Sequence, residues 1–243
     1  MAIKTFSVSE VLTASDVNTY LMKQAVITCT SSTRPSSPVD GMMIYQTDTD
    51  NTWSYDGATW LPSTGLQPIK PTSATNGTVT GNITTFSNVS SVTINGVFTA
   101  NYSRYRVEIA VSNNAGTSAY ARTRLTSGGT ERSTSYVSKS IWTNMGSASA
   151  TWNDYDAPSD SYSIGAVGAS TYPSLISFDI NYPANATYQT IVTGTSTGTQ
   201  VGVANYMALI GGIHQVAQAH DGLKLYMATG QNLTGEIQIY GYR

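Results

Sequence analysis

Four of the seven arginines fall within 21 residues, at Arg104, Arg106, Arg122 and Arg124. A guanidinium fork meets phosphate or carboxylate through two parallel hydrogen bonds, so this cluster suits the anionic groups of a surface polymer. Each pair sits on the polar parity of an alternating segment. The short SNNAGTS link between the segments predicts a hairpin that gathers all four on one sheet face, partly offset by Glu108. The competing readings are a solvated outer face, and a subunit contact in which arginine meets an acceptor on a neighbour. A second constellation runs from Asn153 to Asp160, beside Trp152 and Tyr155. It reads as a polar loop in which Trp152, Asp154 and Asp156 could contact a sugar or coordinate calcium, against plain solvation of the loop.

Elsewhere the chemistry is mostly absent, and no residue is assigned a catalytic role. His214 and His220 are six residues apart, too far for the i, i+4 zinc pair of a helix, and read as exposed or hydrogen-bonded loop histidines. Asp48-Thr49-Asp50-Asn51 opens like a calcium loop but has Trp53 at the sixth position and Thr59 at the twelfth, so an Asx-rich turn is expected. Cys29 has no neighbouring histidine and precedes a proline-rich stretch, which argues against a catalytic thiolate. No nucleophile elbow, phosphate loop or dinucleotide fingerprint occurs. No metal and no cofactor is expected. A glycosidase needs two carboxylates across a cleft, a separation that sequence does not give.

Charge and cysteine set the context. Lys and Arg number 12 against 14 Asp and Glu, a net charge of −2, so no global field draws the chain to nucleic acid. The longest apolar stretch, Tyr206 to Ile213, falls far short of the ~20 residues of a membrane span, so no membrane insertion is expected. One cysteine excludes an intramolecular disulfide. The opening MAIKTFS lacks the apolar core of a signal peptide, so synthesis in a cytoplasm is expected.

The elements that must position these residues follow from composition. Only 11% of residues are charged, while 30 Ser, 35 Thr, 21 Gly and 15 Asn supply the polarity. That mix disfavours helix and suits strands and turns. Sixteen Tyr and four Trp indicate a folded chain. The expectation is an all-β protein: a short N-terminal helix, a small β-hairpin module, then a jelly-roll-like antiparallel β-sandwich. The helix lies within 1–25, where Thr13 and Asp16 form a start signal and Val17, Tyr20 and Leu21 follow at helical spacing. Too short to stand alone, it must dock on something. With an extended linker at 31–38 it makes up an attachment segment, 1–38.

Residues 39–62 form the module. Met42 and Ile44 face one way along its first strand, and Met43 and Tyr45 the other. Asp56-Gly57 predicts a two-residue type I′ turn, with Trp53 opposite Trp60 and Tyr55 opposite Ala58, so Trp53, Tyr55 and Trp60 share one patch. Three strands cannot cover both faces, so the patch packs on the following domain, on copies of itself or a docking protein, or against a ligand. A second connector spans 63–75, and 76–243 carries alternating segments for about ten strands. Tyr105, Val107, Ile109 and Val111 alternate with Arg104, Arg106 and Glu108; Ile176, Phe178, Ile180 and Tyr182 alternate with Ser177, Asp179 and Asn181.

The run from Lys4 to Met22, the segment Arg34 to Met42 with Ile44-Tyr45, and the hairpin Tyr55 to Trp60 resemble the opening of bacteriophage minor tail and tail-fibre-like virion proteins. The final Gly235 to Arg243 is similar to the last strand of phage fibre head domains. The resemblance implies an N-terminal attachment and oligomerisation module, a homotrimer, and a variable β-rich head. It implies a virion location, with other virion proteins and a bacterial surface glycan as partners. Val17, Tyr20, Leu21, Met43, Tyr45, Trp53, Tyr55 and Trp60 would then serve the anchor or the oligomer. The expected function is an adhesive appendage, with a head decoration or head-fibre protein as the alternative and a capsule depolymerase third.

Overall fold

Thr13 organises the one helical turn among the described residues. Its hydroxyl accepts from the Asp16 N–H at 3.1 Å, while its own N–H donates to the Asp16 carboxylate at 3.2 Å. This reciprocal capping box opens α1 (Ala14–Asp16), and the Val17 N–H donates to the Thr13 carbonyl at 3.0 Å. The computed structural model describes residues 8–17, 26–62, 65–115, 119–145, 153–156, 160–168, 173–199 and 205–242. Tyr20 and Leu21, expected to extend the helix, lie outside them, and Val17 is half-buried. The chain divides into two units, 1–67 and 68–243.

The first unit holds a four-stranded sheet in the order β1 (Ile27–Cys29), β2 (Met43–Gln46), β3 (Asn51–Tyr55) and β4 (Trp60–Pro62). The expected module had three strands; β1, drawn from the segment assigned to attachment, adds a fourth, parallel to β2. Residues 31–38 are not a free linker either. The Ser31 N–H donates to the Asp48 carboxylate at 3.0 Å, and the Arg34 guanidinium reaches Gln46 Oε1 at 2.9 Å and lies 4.3 Å over the Trp53 ring. These contacts return the strand to the sheet and seat the polar end of β2, where Gln46 is fully buried.

The second unit is built from strands. β5 (Leu66–Pro68) straddles the division and β6 (Ser73–Thr75) follows, so the expected 63–75 connector is partly strand. Then come β7 (Thr78–Thr80), β8 (Ile83–Val89), β9 (Ser91–Asn95), β10 (Arg104–Asn113), β11 (Ala119–Ser127), β12 (Thr130–Glu131) and β13 (Tyr136–Asn144). The last seven are β14 (Asn153–Asp156), β15 (Tyr162–Val167), β16 (Ser174–Asn181), β17 (Thr190–Thr199), β18 (Asn205–His214), β19 (Gly222–Met227) and β20 (Leu233–Tyr242). A larger antiparallel sheet runs β14-β13-β18-β17-β16-β10-β20-β8-β7, and a smaller one β12-β11-β19-β9-β6 with β15 paired to β11. The result is an all-β antiparallel sandwich, as the composition requires.

Alternation fills the space between the sheets. Tyr105, Val107, Ile109 and Val111 of β10 are buried, as are Ile176, Phe178 and Ile180 of β16 and Ile237 and Ile239 of β20. Leu125, Leu223, Leu225, Met227, Val92 and Ile94 of the smaller sheet join the same core. Each such side chain contributes roughly 1.5–3 kcal/mol of burial. Tyr182 departs from the pattern: β16 ends at Asn181, and Tyr182 turns out at φ +59° with 40% of its surface exposed. Hydroxyls also enter the interior, where Ser140 and Ser163 bond across at 3.1 Å and Thr123 donates to the Lys224 carbonyl at 2.9 Å.

Candidate functional site

The four arginines do not share a face. β10 and β11 are consecutive in sequence but belong to different sheets, so Arg104 and Arg106 line the outside of the larger sheet and Arg122 and Arg124 the outside of the smaller. The expected hairpin fails because the chain crosses from sheet to sheet between Asn113 and Ala119. The arginines also have intramolecular partners. Arg104 pairs with the Asp179 carboxylate, Arg106 Nε donates to it at 3.0 Å, and the Tyr242 hydroxyl donates at 2.8 Å. Burial pushes the Asp179 pKa up, but the hydrogen bonds from Arg106, Arg104 and Tyr242 outweigh it and hold the carboxyl below its ordinary value. On the other sheet, Arg124 pairs with Glu131 at 2.9 Å and with Asp160, while Lys224 meets Glu131 at 3.2 Å. Pairs of this kind leave little guanidinium for an external anion.

The second constellation is also relocated. Residues 153–156 form an edge strand instead of a loop, with Asp154 opposite Ile141 and Asp156 opposite Lys139. Trp152 lies outside the described residues. The histidines are buried, not exposed: His214 ends β18 and His220 lies in the loop after it, 1% and 2% exposed, with ring centroids 5.0 Å apart. Tyr136 packs on His214 at 4.7 Å.

In the module, the turn differs from the expected type I′. Tyr55 pairs with Trp60, Ser54 with Leu61 and Trp53 with Pro62, so residues 56–59 form a four-residue loop. The Asp56 carboxylate accepts from the Ala58 N–H at 3.0 Å and the Thr59 N–H at 2.7 Å, which closes this longer loop. The register moves by two, so parity survives and Trp53, Tyr55 and Trp60 still share a face. The Tyr55 and Trp60 rings lie 5.3 Å apart. Ile44 pairs with Trp53 and therefore belongs to this face, while Met43 and Tyr45 occupy the other, 46% and 37% exposed. Tyr45 donates to Asp50 at 3.2 Å.

What the sequence did not single out is the outer face of the larger sheet. Register places two adjacent rows across four strands: Thr197, Leu175, Ala110 and Glu236, then Thr195, Ser177, Glu108 and Gln238. Ala110 is a short side chain between long ones, and a depression of about 380 Å³ opens over it, lined by these residues. The strands press close here, since a Cβ on Gly235 would stand 2.0 Å from the Ala110 carbonyl. The Ser177 hydroxyl donates to Glu108 Oε1 at 2.8 Å, and Arg106 Nε lies 3.8 Å from the same oxygen. Beyond β17 the same face turns apolar. Ile191, Met207, Leu209, Ile213, Ile141 and Val137 stand 37–56% exposed on three neighbouring strands. They form two clusters, Ile191 with Ile213 and Val137, and Leu209 with Ile141 and Met207, separated by the row Thr193, Gly211 and Lys139, and exposed apolar clusters of this kind suit a contact surface.

Among the described residues no group of three His, Cys, Asp or Glu is placed to hold a metal ion. Comparison of the chain with family models, with curated proteins and with solved structures gave no match. The fold and this face therefore define the protein as an antiparallel β-sandwich with an open, chemically two-part outer sheet.

Proposed function

We propose that the chain is a phage virion structural protein, a homotrimeric tail-fibre- or spike-like appendage whose sandwich adheres to bacterial surface glycan. Residues 1–62 would attach it to other virion proteins, in line with the resemblance of that segment. The observation that carries the adhesive reading is the hollow over Ala110 beside exposed apolar clusters, all on one sheet face. Carboxylate, amide and hydroxyl groups around a small apolar floor match the hydroxyl rim and C–H face of a sugar ring. Glu108 and Glu236 stand diagonally on neighbouring strands. Weak sites repeated on one particle gain affinity through effective concentration, so a shallow site suffices.

A head decoration protein is the second reading, favoured by the apolar field, which suits packing against a neighbouring subunit. The deciding experiment uses particles lacking the chain and purified full-length protein. Adhesion predicts intact particles that no longer adsorb, and protein that binds host envelope glycan. Fragile particles with adsorption unchanged would move the assignment to decoration. Clearing of the polymer by the purified protein would make it an enzyme.

A further inference from the structure

We infer that the hollow over Ala110 is a saccharide subsite selective for non-acidic sugars, whose O–H or N–H donors meet the carboxylates of Glu108 and Glu236. The inference rests on the adhesive reading and reverses the ligand charge that the arginine cluster suggested.

Three observations converge on this class. The first is the arrangement of acceptors. Glu108 lies opposite Gln238, and Glu236 lies opposite Ala110, so the carboxylates stand diagonally across one strand pair. Ionised carboxylates only accept hydrogen bonds, and a vicinal diol or an ammonium supplies the donors they need. Ser177 already donates to Glu108 Oε1. Among the described residues Glu236 has no hydrogen bond or ion pair, so its oxygens are open to a ligand.

The second is charge. The nearest guanidinium, Arg106, donates through Nε to Asp179 at 3.0 Å and only flanks Glu108 at 3.8 Å. No lysine or arginine lines the depression. A phosphate- or uronate-bearing unit would place its anion against two carboxylates in a site without a free cation, and like charges in a shared site oppose binding.

The third is shape. The floor is the Ala110 methyl with the Leu175 side chain, which is 60% exposed beside it, and Thr195 and Thr197 edge the far side. A pyranose has one C–H face for such a floor and a ring of hydroxyls for the rim. At about 380 Å³ the depression is at the small end of ligand sites, enough for one or two rings of a polymer.

The test titrates the full-length protein with three probes of matched length: a neutral glucose oligomer, a glucosamine oligomer and a galacturonate oligomer. Expected is binding of the neutral and amine-bearing probes and at least tenfold weaker binding of the uronate. Ala110→Phe fills the hollow from an outward position and should cost tenfold or more in affinity. Glu236→Gln should cost about fivefold, most for the glucosamine probe, with the melting temperature of both variants unchanged. Equal or tighter binding of the uronate, or full affinity in a folded Ala110→Phe variant, overturns the inference. Envelope binding by the same proteins separates the two levels. Wild type that binds envelope, matched by Ala110→Phe, leaves adhesion standing and places it elsewhere. Wild type that binds neither envelope nor any probe defeats the adhesive reading itself.

Discussion

The fold shifts the ionisation of Asp179 and of the histidine pair, favouring the charged form of the carboxyl and the neutral form of the imidazoles. Asp179 gathers Arg104, Arg106 and Tyr242, and its side chain is only 7% exposed. Its carboxyl pKa is lowered, so its contribution is complete above the ordinary value of 3.8 and is lost as pH falls through the lower folded value. Asp179→Asn should destabilise the sandwich by roughly 2 kcal/mol in urea titrations at pH 7, because two guanidinia lose their counter-charge. His214 and His220 are buried bases, and both are pushed down by burial, His220 to about 4, with His214 and Arg132 adding repulsion there. The unfolded chain binds protons first, so stability is full above about 6.5 and declines from there toward pH 4. Both His220 ring nitrogens lack a hydrogen-bond partner, so an apolar ring of similar shape loses nothing by replacing it. His220→Phe should therefore match or exceed wild-type stability at pH 7 and flatten the pH 6.5–4 decline, which is worth roughly 3 kcal/mol at most. A variant that declines as steeply as wild type would place the acid sensitivity elsewhere.

At the scale of elements, strands were legible where one face is buried and pairings were not. The alternation of Tyr105, Val107, Ile109 and Val111 in β10 needs only a period of two, and all four are buried. Whether β10 pairs with β11 depends on where the intervening loop sends the chain, and no local residue type encodes that. The arginine cluster was lost for this reason. The hollow was hidden likewise, because Ala110, Ser177 and Glu236 come from three strands far apart in sequence and meet only through register. The histidines left no usable signal, because the Ala- and Gln-rich stretch between them is an exposed loop and only the two rings turn inward. The module shows a pairing error with a harmless outcome. Asp56-Gly57 invites a two-residue turn, but the Asp56 carboxylate holds two N–H groups and closes a loop of four, and the shift of two preserves the aromatic face. Asp56→Ala should thus cost about 1 kcal/mol in module stability, as the loss of a side-chain cap does. Hydrogen exchange at Ala58 and Thr59 would report it, and unchanged protection of both amides would contradict the role given to Asp56.

For the whole molecule, the scarcity of charge divides into two uses that composition alone left merged. Part of the hydroxyl excess is internal, as in the Ser140–Ser163 contact, and part lines the outer rows with Thr193, Thr195 and Thr197. On that outer face the apolar field carries the proposal of a trimer beyond the module. Ile141 pairs with Leu209, and Val137 and Ile191 flank Ile213, with the row Thr193, Gly211 and Lys139 between the two groups, so a second copy seated on this face would cover two apolar clusters. Leu209 stands near the centre at 47% exposure and supports none of the core. A charge there should leave the fold intact and remove the driving force for contact, since an aspartate must be desolvated when the face closes. Leu209→Asp is expected to lower the molar mass seen by light scattering at micromolar concentration while the circular dichroism spectrum is unchanged. Trp60→Ala in the module tests the other route to the proposed trimer. If Trp60→Ala dissociates the protein and Leu209→Asp does not, assembly belongs to the module and the sheet face is free for glycan. The reverse result makes the face a subunit contact and favours the decoration reading, whereas a fixed mass in both variants would reject the two surfaces alike.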